Sequence, residues 1–161
     1  MDGFAQKITP FLWFDTQAEE AANYYISVFD ESRVETVRRY GKAGPGPEGS
    51  VMTISFQLAG QHFTAINGGP HFRFNEAVSF VVNCADQDEI DYFWQKLSDG
   101  GKESQCGWLK DRFGLSWQIV PAALSELFKN DDPQASGRVM KALLQMKKLD
   151  IAALENARAG N

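Results

Sequence analysis

The sequence predicts an α+β fold in which one pattern, a strand, a helix, more strands and a closing hairpin, occurs twice before the chain turns helical. Three observations predict it. Two stretches of helical period each follow a short apolar strand and an aspartate, Asp15 in one case and Asp86 in the other. Each helix is followed by alternating, β-prone segments that turn at a glycine, first Gly60 and then Gly114. Beyond Pro121 the strand signal stops, and Asp132-Pro133 and Asp150 read as helix starts.

Ile8 to Phe14 is the first apolar strand, and Asp15-Thr16 offers an N-cap. Ala18, Ala21, Ala22, Tyr25, Ile26 and Phe29 then form one helical stripe, with Glu19 and Glu20 in the first turns, where the helix dipole favours negative charge. Arg33 to Tyr40 alternates. Gly41 to Gly49, rich in Gly and Pro, cannot hold a regular element and reads as a flexible flap. Val51 to Leu58 and Gln61 to Asn67 form a hairpin about Ala59-Gly60, and Gly68-Gly69-Pro70 breaks the chain.

The second copy opens with Val78 to Cys84. Its helix carries Ile90, Phe93, Trp94 and Leu97 on one face and stops at Asp99-Gly100-Gly101. Lys102 to Gln105 is a short strand, Cys106 to Lys110 a longer one, Asp111 to Gly114 a tight turn, and Leu115 to Val120 the returning strand. The charged run Lys110-Asp111-Arg112 reads as a solvated turn. In the tail, Pro121 to Phe128 forms a short helix, Val139, Leu143 and Met146 mark an apolar helical face, and Leu149 and Leu154 are placed as a hydrophobic staple around Asp150. The modules span roughly 7–70 and 77–121 of a single 1–161 domain, with a helical tail over 122–161.

Composition narrows the function. A net charge of −5 and a pI near 5.0 disfavour nucleic acid, whose phosphates need a basic face. No apolar run approaches a membrane span, and the first residues lack the layout of a signal peptide. Two cysteines, Cys84 and Cys106, make no disulfide framework, so the reading is a cytoplasmic protein.

Four runs carry a family resemblance: Ile8-Thr-Pro-Phe-Leu-Trp-Phe-Asp15, Ala65-Ile-Asn-Gly-Gly69, Trp108 to Pro121, and Met146 to Leu154. Together they closely resemble PhnB-like proteins, also labelled demethylubiquinone methyltransferase-like, of the vicinal oxygen chelate superfamily that includes glyoxalase and bleomycin-resistance proteins. The resemblance implies paired βαβββ modules whose curved sheets enclose a cleft, in a homodimer that takes a small-molecule ligand. The methyltransferase label has no counterpart in the residues, because no Gly-rich motif follows a strand and opens a helix.

Superfamily enzymes place one metal ligand on each of four strands, and those positions map here to Ile8, Thr64, Ser79 and Gln118. Only Gln118 is a usual ligand, and a two-residue shift adds at most His62. That falls short of the three or four protein ligands a catalytic site needs, so the expectation is a metal-free cleft without a cofactor.

The candidate ligand-binding residues are Gln118, Ser79, Thr64, Asn67, Trp13 and Trp108. Gln118 is either a cavity contact in mid-strand or a sheet-face glutamine bonded to backbone or water. Ser79 and Thr64 either face the cleft or simply fit a crowded strand. Asn67 either meets a ligand beside two glycines or marks a turn. Trp13 and Trp108 are either pocket walls or core, and Trp117 lies opposite Gln118 by strand parity. No carboxylate partner for His62 or His71 is identifiable by spacing. A small-molecule-binding protein or metal-independent enzyme is therefore the first reading. A metal-dependent lyase, isomerase or dioxygenase using His62 and Gln118 is the second, and a dimer without ligand is the third.

Overall fold

The two copies of the pattern become two four-stranded mixed sheets in the computed structural model, which describes residues 6–161. The chain divides into two compact units between Arg73 and Phe74, and the C-terminal helices belong to the second.

The first unit contains β1 (Phe11–Phe14), α1 (Ala18–Val28), β2 (Arg33–Arg39), β3 (Val51–Leu58) and β4 (Gln61–Asn67), with strand order β1-β4-β3-β2. This is a βαβββ module. β1 runs parallel to β4, and the other pairings are antiparallel. Alternation decides the core: Leu12, Phe14, Ile54, Phe56, Leu58, Phe63 and Ala65 are buried with Ala18, Ala21, Ala22, Tyr25 and Val28 of α1. The expected stretch Ile8 to Phe14 shortens to Phe11–Phe14, and Ile8 lies outside it at 84% exposure.

The Asp15-Thr16 cap is also corrected. The residue before α1 is Gln17, which makes no capping bond. Instead the Ala18 amide donates to Asn67 Oδ1 at 2.8 Å, and Asn67 Nδ2 donates to the Val51 carbonyl at 3.1 Å. A residue 49 positions away therefore supplies the cap and ties helix to sheet. Asn67→Ala is expected to cost about 1–2 kcal/mol, read as a lower urea midpoint with an unchanged m-value.

The flap expected at Gly41 to Gly49 wraps an aromatic ring. Tyr40 is buried, donates from its hydroxyl to the Asn67 carbonyl at 2.6 Å, and lies so close to Gly46 that a Cβ there would stand 2.3 Å from the ring. Glycine is required at that position by contact.

The second unit contains β5 (Ser79–Cys84), α2 (Gln87–Ser98), β6 (Lys102–Glu103), β7 (Trp108–Lys110) and β8 (Ser116–Pro121) in the order β5-β8-β7-β6. It is again βαβββ, with β5 parallel to β8. Asp86 caps α2 through the Glu89 amide, and Glu89 reaches back to the Ala85 amide. Ile90, Trp94 and Leu97 of α2 bury with Val82, Cys84, Leu109, Trp117 and Ile119. The strand expected from Cys106 starts only at Trp108, because Cys106 (φ 59°) and Gly107 (φ 83°) are left-handed. Their amides leave the sheet and donate to the carbonyls of Met146 and Lys147, both at 2.8 Å.

The tail folds as α3 (Leu124–Leu127), α4 (Pro133–Leu143) and α5 (Ile151–Ala159). Asp132 and Asp150 cap α4 and α5. Val120, near the end of β8, forms a second core cluster with Val139, Leu149 and Leu154. In the Lys110-Asp111-Arg112 turn Arg112 is exposed as expected, but Asp111 is not solvated. Asp111 is 3% exposed, its Oδ1 accepting from the amides of Phe113 and Leu115 and its Oδ2 from Trp117 Nε1.

Candidate functional site: the helix-distal faces of the two sheets

Each sheet buries one face against its own helix, so candidate residues for a ligand lie on the other face. On the second sheet the strand register sets them in rows. Lys102 pairs with Lys110, Lys110 with Ser116, and Ser116 with Ser79, giving one row across all four strands. Beside it run Trp108, Gln118 and Val81. Gln118 and Ser79 meet, Nε2 donating to Oγ at 2.9 Å. Ser116 is fully buried, and among the described residues its hydroxyl has no hydrogen-bond partner. A buried polar atom left unpaired costs roughly 1–3 kcal/mol and calls for an explanation.

A cavity of about 450 Å³ opens along this face, lined by Glu76, Lys102, Ser104, Cys106, Trp108, Lys110 and Ser116 among others. Its size is in the range of small-molecule sites. Lys110 Nζ lies 2.5 Å from Glu76 Oε1, and this contact with Lys110 is the main cause that holds the exposed Glu76 carboxyl below its usual range.

On the first sheet, Thr64 is brought to Ser55, hydroxyl to hydroxyl at 3.2 Å. Trp13 is covered by the break that follows β4: its Nε1 donates to the Gly69 carbonyl at 2.9 Å, and its ring packs edge-on against Phe72. A Cβ at Gly68 would stand 2.2 Å from that ring. Asn67 lines a different cavity of about 680 Å³ with Asp15, Arg39, Tyr40 and Gly68 to His71. Its side chain is already bonded at both ends, to Ala18 and Val51. The structure thus brings Gln118, Ser79 and Trp108 together on one face, Thr64 and Trp13 onto another, and sets Asn67 apart at the edge of α1.

One pair escaped the sequence reading. His62 Nδ1 lies 2.9 Å from Glu35 Oε2, and both side chains line a cavity of about 810 Å³ with Thr36, Arg38, Ser55 and Thr64. The register of β2 slips between Val34 and Thr36, an irregularity that places Glu35 beside His62. The backbone of His62 is held from both sides, its amide donating to Gln6 Oε1 and its carbonyl accepting from Gln6 Nε2.

The two thiols differ sharply. Burial pushes Cys84 up to about 12 from an ordinary 9.0, with Glu89 and Asp86 adding to the effect, whereas Cys106 is partly exposed. At pH 8 a thiol reagent is expected to titrate one cysteine rapidly in the folded protein and two in denaturant. Below pH 9.0 Cys84 keeps its proton in both states; between there and about 12 only the unfolded chain loses it, so its contribution to stability fades as pH rises through that window.

Comparisons with known proteins bear on what these faces do. The family model described as 3-demethylubiquinone-9 3-methyltransferase matches residues 6–120. A PhnB protein from Bacillus cereus, carrying the same methyltransferase name, is 40% identical with a TM-score of 0.67, covering 73% of this chain and 100% of its own. The chain belongs to the PhnB-like family. More distant structures share the fold with this PhnB-like chain. Protein PA1353 from Pseudomonas aeruginosa is 20% identical, with a TM-score of 0.60 and coverage of 71% and 96%. The fosfomycin resistance protein FosX from Mesorhizobium loti is 12% identical, with a TM-score of 0.54 and coverage of 77% and 97%. At these identities the likeness is one of fold. No curated protein sequence matches it significantly.

The metal that the resemblance implies does not fit the residues at the expected ligand positions. Ile8, the first of the expected ligand positions, carries no side-chain donor and lies outside β1. The Thr64 hydroxyl is bonded to Ser55, and Ser79 and Gln118 are bonded to each other. Among the described residues no group of three or more His, Cys, Asp or Glu side chains is placed to hold a metal ion.

Proposed function

We propose that this PhnB-like chain is a small-molecule-binding protein that works without a metal, as a cytoplasmic homodimer. The observation that carries the reading is the buried Ser116 hydroxyl, unpartnered among the described residues, on the face where Gln118 donates to Ser79. Ser116 and Trp108 line a cavity of about 450 Å³ together with Lys102, Lys110 and Gln105, the mix of a few polar groups and an apolar wall that small ligands use. Dimerisation is supported by the resemblance to superfamily proteins, and the reducing compartment by two free cysteines.

An enzymatic variant is favoured by one observation. Glu35 orients the imidazole of His62 through Nδ1, the arrangement that holds a general base in one tautomer. Methyl transfer, the activity in the family's name, is not part of this reading. α1 and α2 are entered through Asp15-Thr16-Gln17 and Ala85-Asp86 rather than through a glycine-rich turn that would cradle a nucleotide-like methyl donor.

The test is metal analysis of freshly purified, untagged protein joined to thermal unfolding against a panel of metabolites and small aromatic molecules. Selective stabilisation that survives chelation is the expected result. Near-stoichiometric zinc, iron or manganese overturns the metal-free part. Absence of stabilisation by any panel member overturns the binding part.

A further inference from the structure

We propose that the cavity on the helix-distal face of the second sheet takes a small planar carboxylate, held by Lys102 and Lys110, bonded at Ser116 and laid against Trp108. This rests on the ligand-binding reading above and names the class of ligand. Three observations carry it.

The first is charge. Lys102 and Lys110 are direct cross-strand partners in an antiparallel pair. Like charges set opposite one another destabilise a sheet unless an anion lies between them. In a chain of net charge −5, two adjacent lysines on one cavity wall form a local exception. The second is Glu76, whose carboxylate reaches Lys110 from the exposed segment before β5. It shows that the lysine row accepts a carboxylate, and it occupies the position a ligand carboxylate would take. The third is the row itself. Register continues from the two lysines to Ser116, whose buried hydroxyl has no partner among the described residues, and to Ser79. Trp108 stands in the neighbouring row and lines the same cavity. A flat molecule with a carboxylate at one end meets the lysines, gives Ser116 its missing bond and covers the indole.

Glu76 is then an internal competitor. A bound carboxylate displaces it, and removing its charge strengthens binding.

Benzoate, benzamide and inorganic phosphate are the probes, titrated by NMR against the full chain while following the indole N–H signals of its four tryptophans. Benzoate is expected to move the Trp108 signal, with benzamide at least about ten-fold weaker because it lacks the charge, and phosphate weaker because it has no ring to cover the indole. Lys110→Met is expected to weaken benzoate by about ten-fold, and Glu76→Gln to tighten it several-fold. Equal binding of benzamide, or benzoate binding indifferent to both substitutions, overturns the proposal. A panel molecule that stabilises the protein without moving Trp108 defeats this inference and leaves the binding reading standing. Absence of any stabilising molecule defeats both.

Discussion

Asp111→Ala is expected to lower the unfolding free energy by about 3–5 kcal/mol, the largest loss from any single side chain outside the apolar core. The carboxylate is 3% exposed and accepts three bonds: from the amides of Phe113 and Leu115 at 2.9 and 3.0 Å, and from Trp117 Nε1 at 2.9 Å. Truncation leaves these donors without their acceptor in a place water enters poorly, each costing about 1–3 kcal/mol and not fully additive. The loss falls on the turn that joins β7 to β8, and so on the face that carries Lys110, Ser116 and Gln118. Asp111→Asn separates the contributions. Its remaining oxygen still serves the turn amides, but its NH₂ confronts the indole N–H, for a loss of about 1–2 kcal/mol. Urea unfolding of both variants, paired with Trp117→Phe in a double-mutant cycle, measures the indole bond alone. An Asp111→Ala protein within 1 kcal/mol of the parent would mean that the turn is not organised by this side chain.

The same residue shows where sequence reading stops. Lys110-Asp111-Arg112 looks solvated because each side chain taken singly favours water. What buries Asp111 is a set of donors brought by the turn and by Trp117, six residues on. Strand parity, by contrast, is local, and it set Trp117 and Gln118 on opposite faces as observed: Trp117 is buried against the helix side while Gln118 reaches Ser79. Aspartate caps were legible at Asp86, Asp132 and Asp150 for the same reason, since each bonds an amide two or three residues ahead.

The α1 cap was not legible. Asn67 lies after three strands, and nothing near Asp15-Thr16 in sequence distinguishes a helix capped by its neighbours from one capped across the sheet. The His62–Glu35 pair was hidden by a related effect. Strict alternation along β2 cannot place Glu35 and Thr36 together, and both line the cavity beside His62 because the register of β2 on β3 slips there. Local period thus reads out sheet faces, helix stripes and ordinary caps. Sites assembled by register shifts and long-range hydrogen bonds need coordinates.

The second large effect is expected at Leu149, where the tail meets the second sheet. Leu149 is fully buried with Val120, Val139 and Leu154, and its side chain lies against Gly107, where an added Cβ would stand 3.2 Å from Leu149 Cδ1. Gln87 of α2 clamps the backbone on either side of it, Nε2 donating to the Leu149 carbonyl at 3.0 Å and Oε1 accepting from the Ile151 amide at 2.9 Å. Leu149→Ala removes three carbons from a closed cluster and is expected to cost about 2–5 kcal/mol. Leu144→Ala, in a residue 56% exposed at the end of α4, is expected to change stability by no more than about 0.5 kcal/mol. Hydrogen exchange then tells how the loss is distributed. The amides of Cys106 and Gly107 donate to Met146 and Lys147, so they exchange only when the tail lifts or the unit unfolds. If Leu149 pins the tail, these two amides accelerate in Leu149→Ala ahead of those in β5 and β8. If they accelerate only in step with the strands, docking of the tail and folding of the sheet are one cooperative event. In that event the helices after Pro121 are a structural part of the face proposed to take a ligand, because Cys106, with its amide bonded to the tail, lines the same cavity as Lys110 and Ser116.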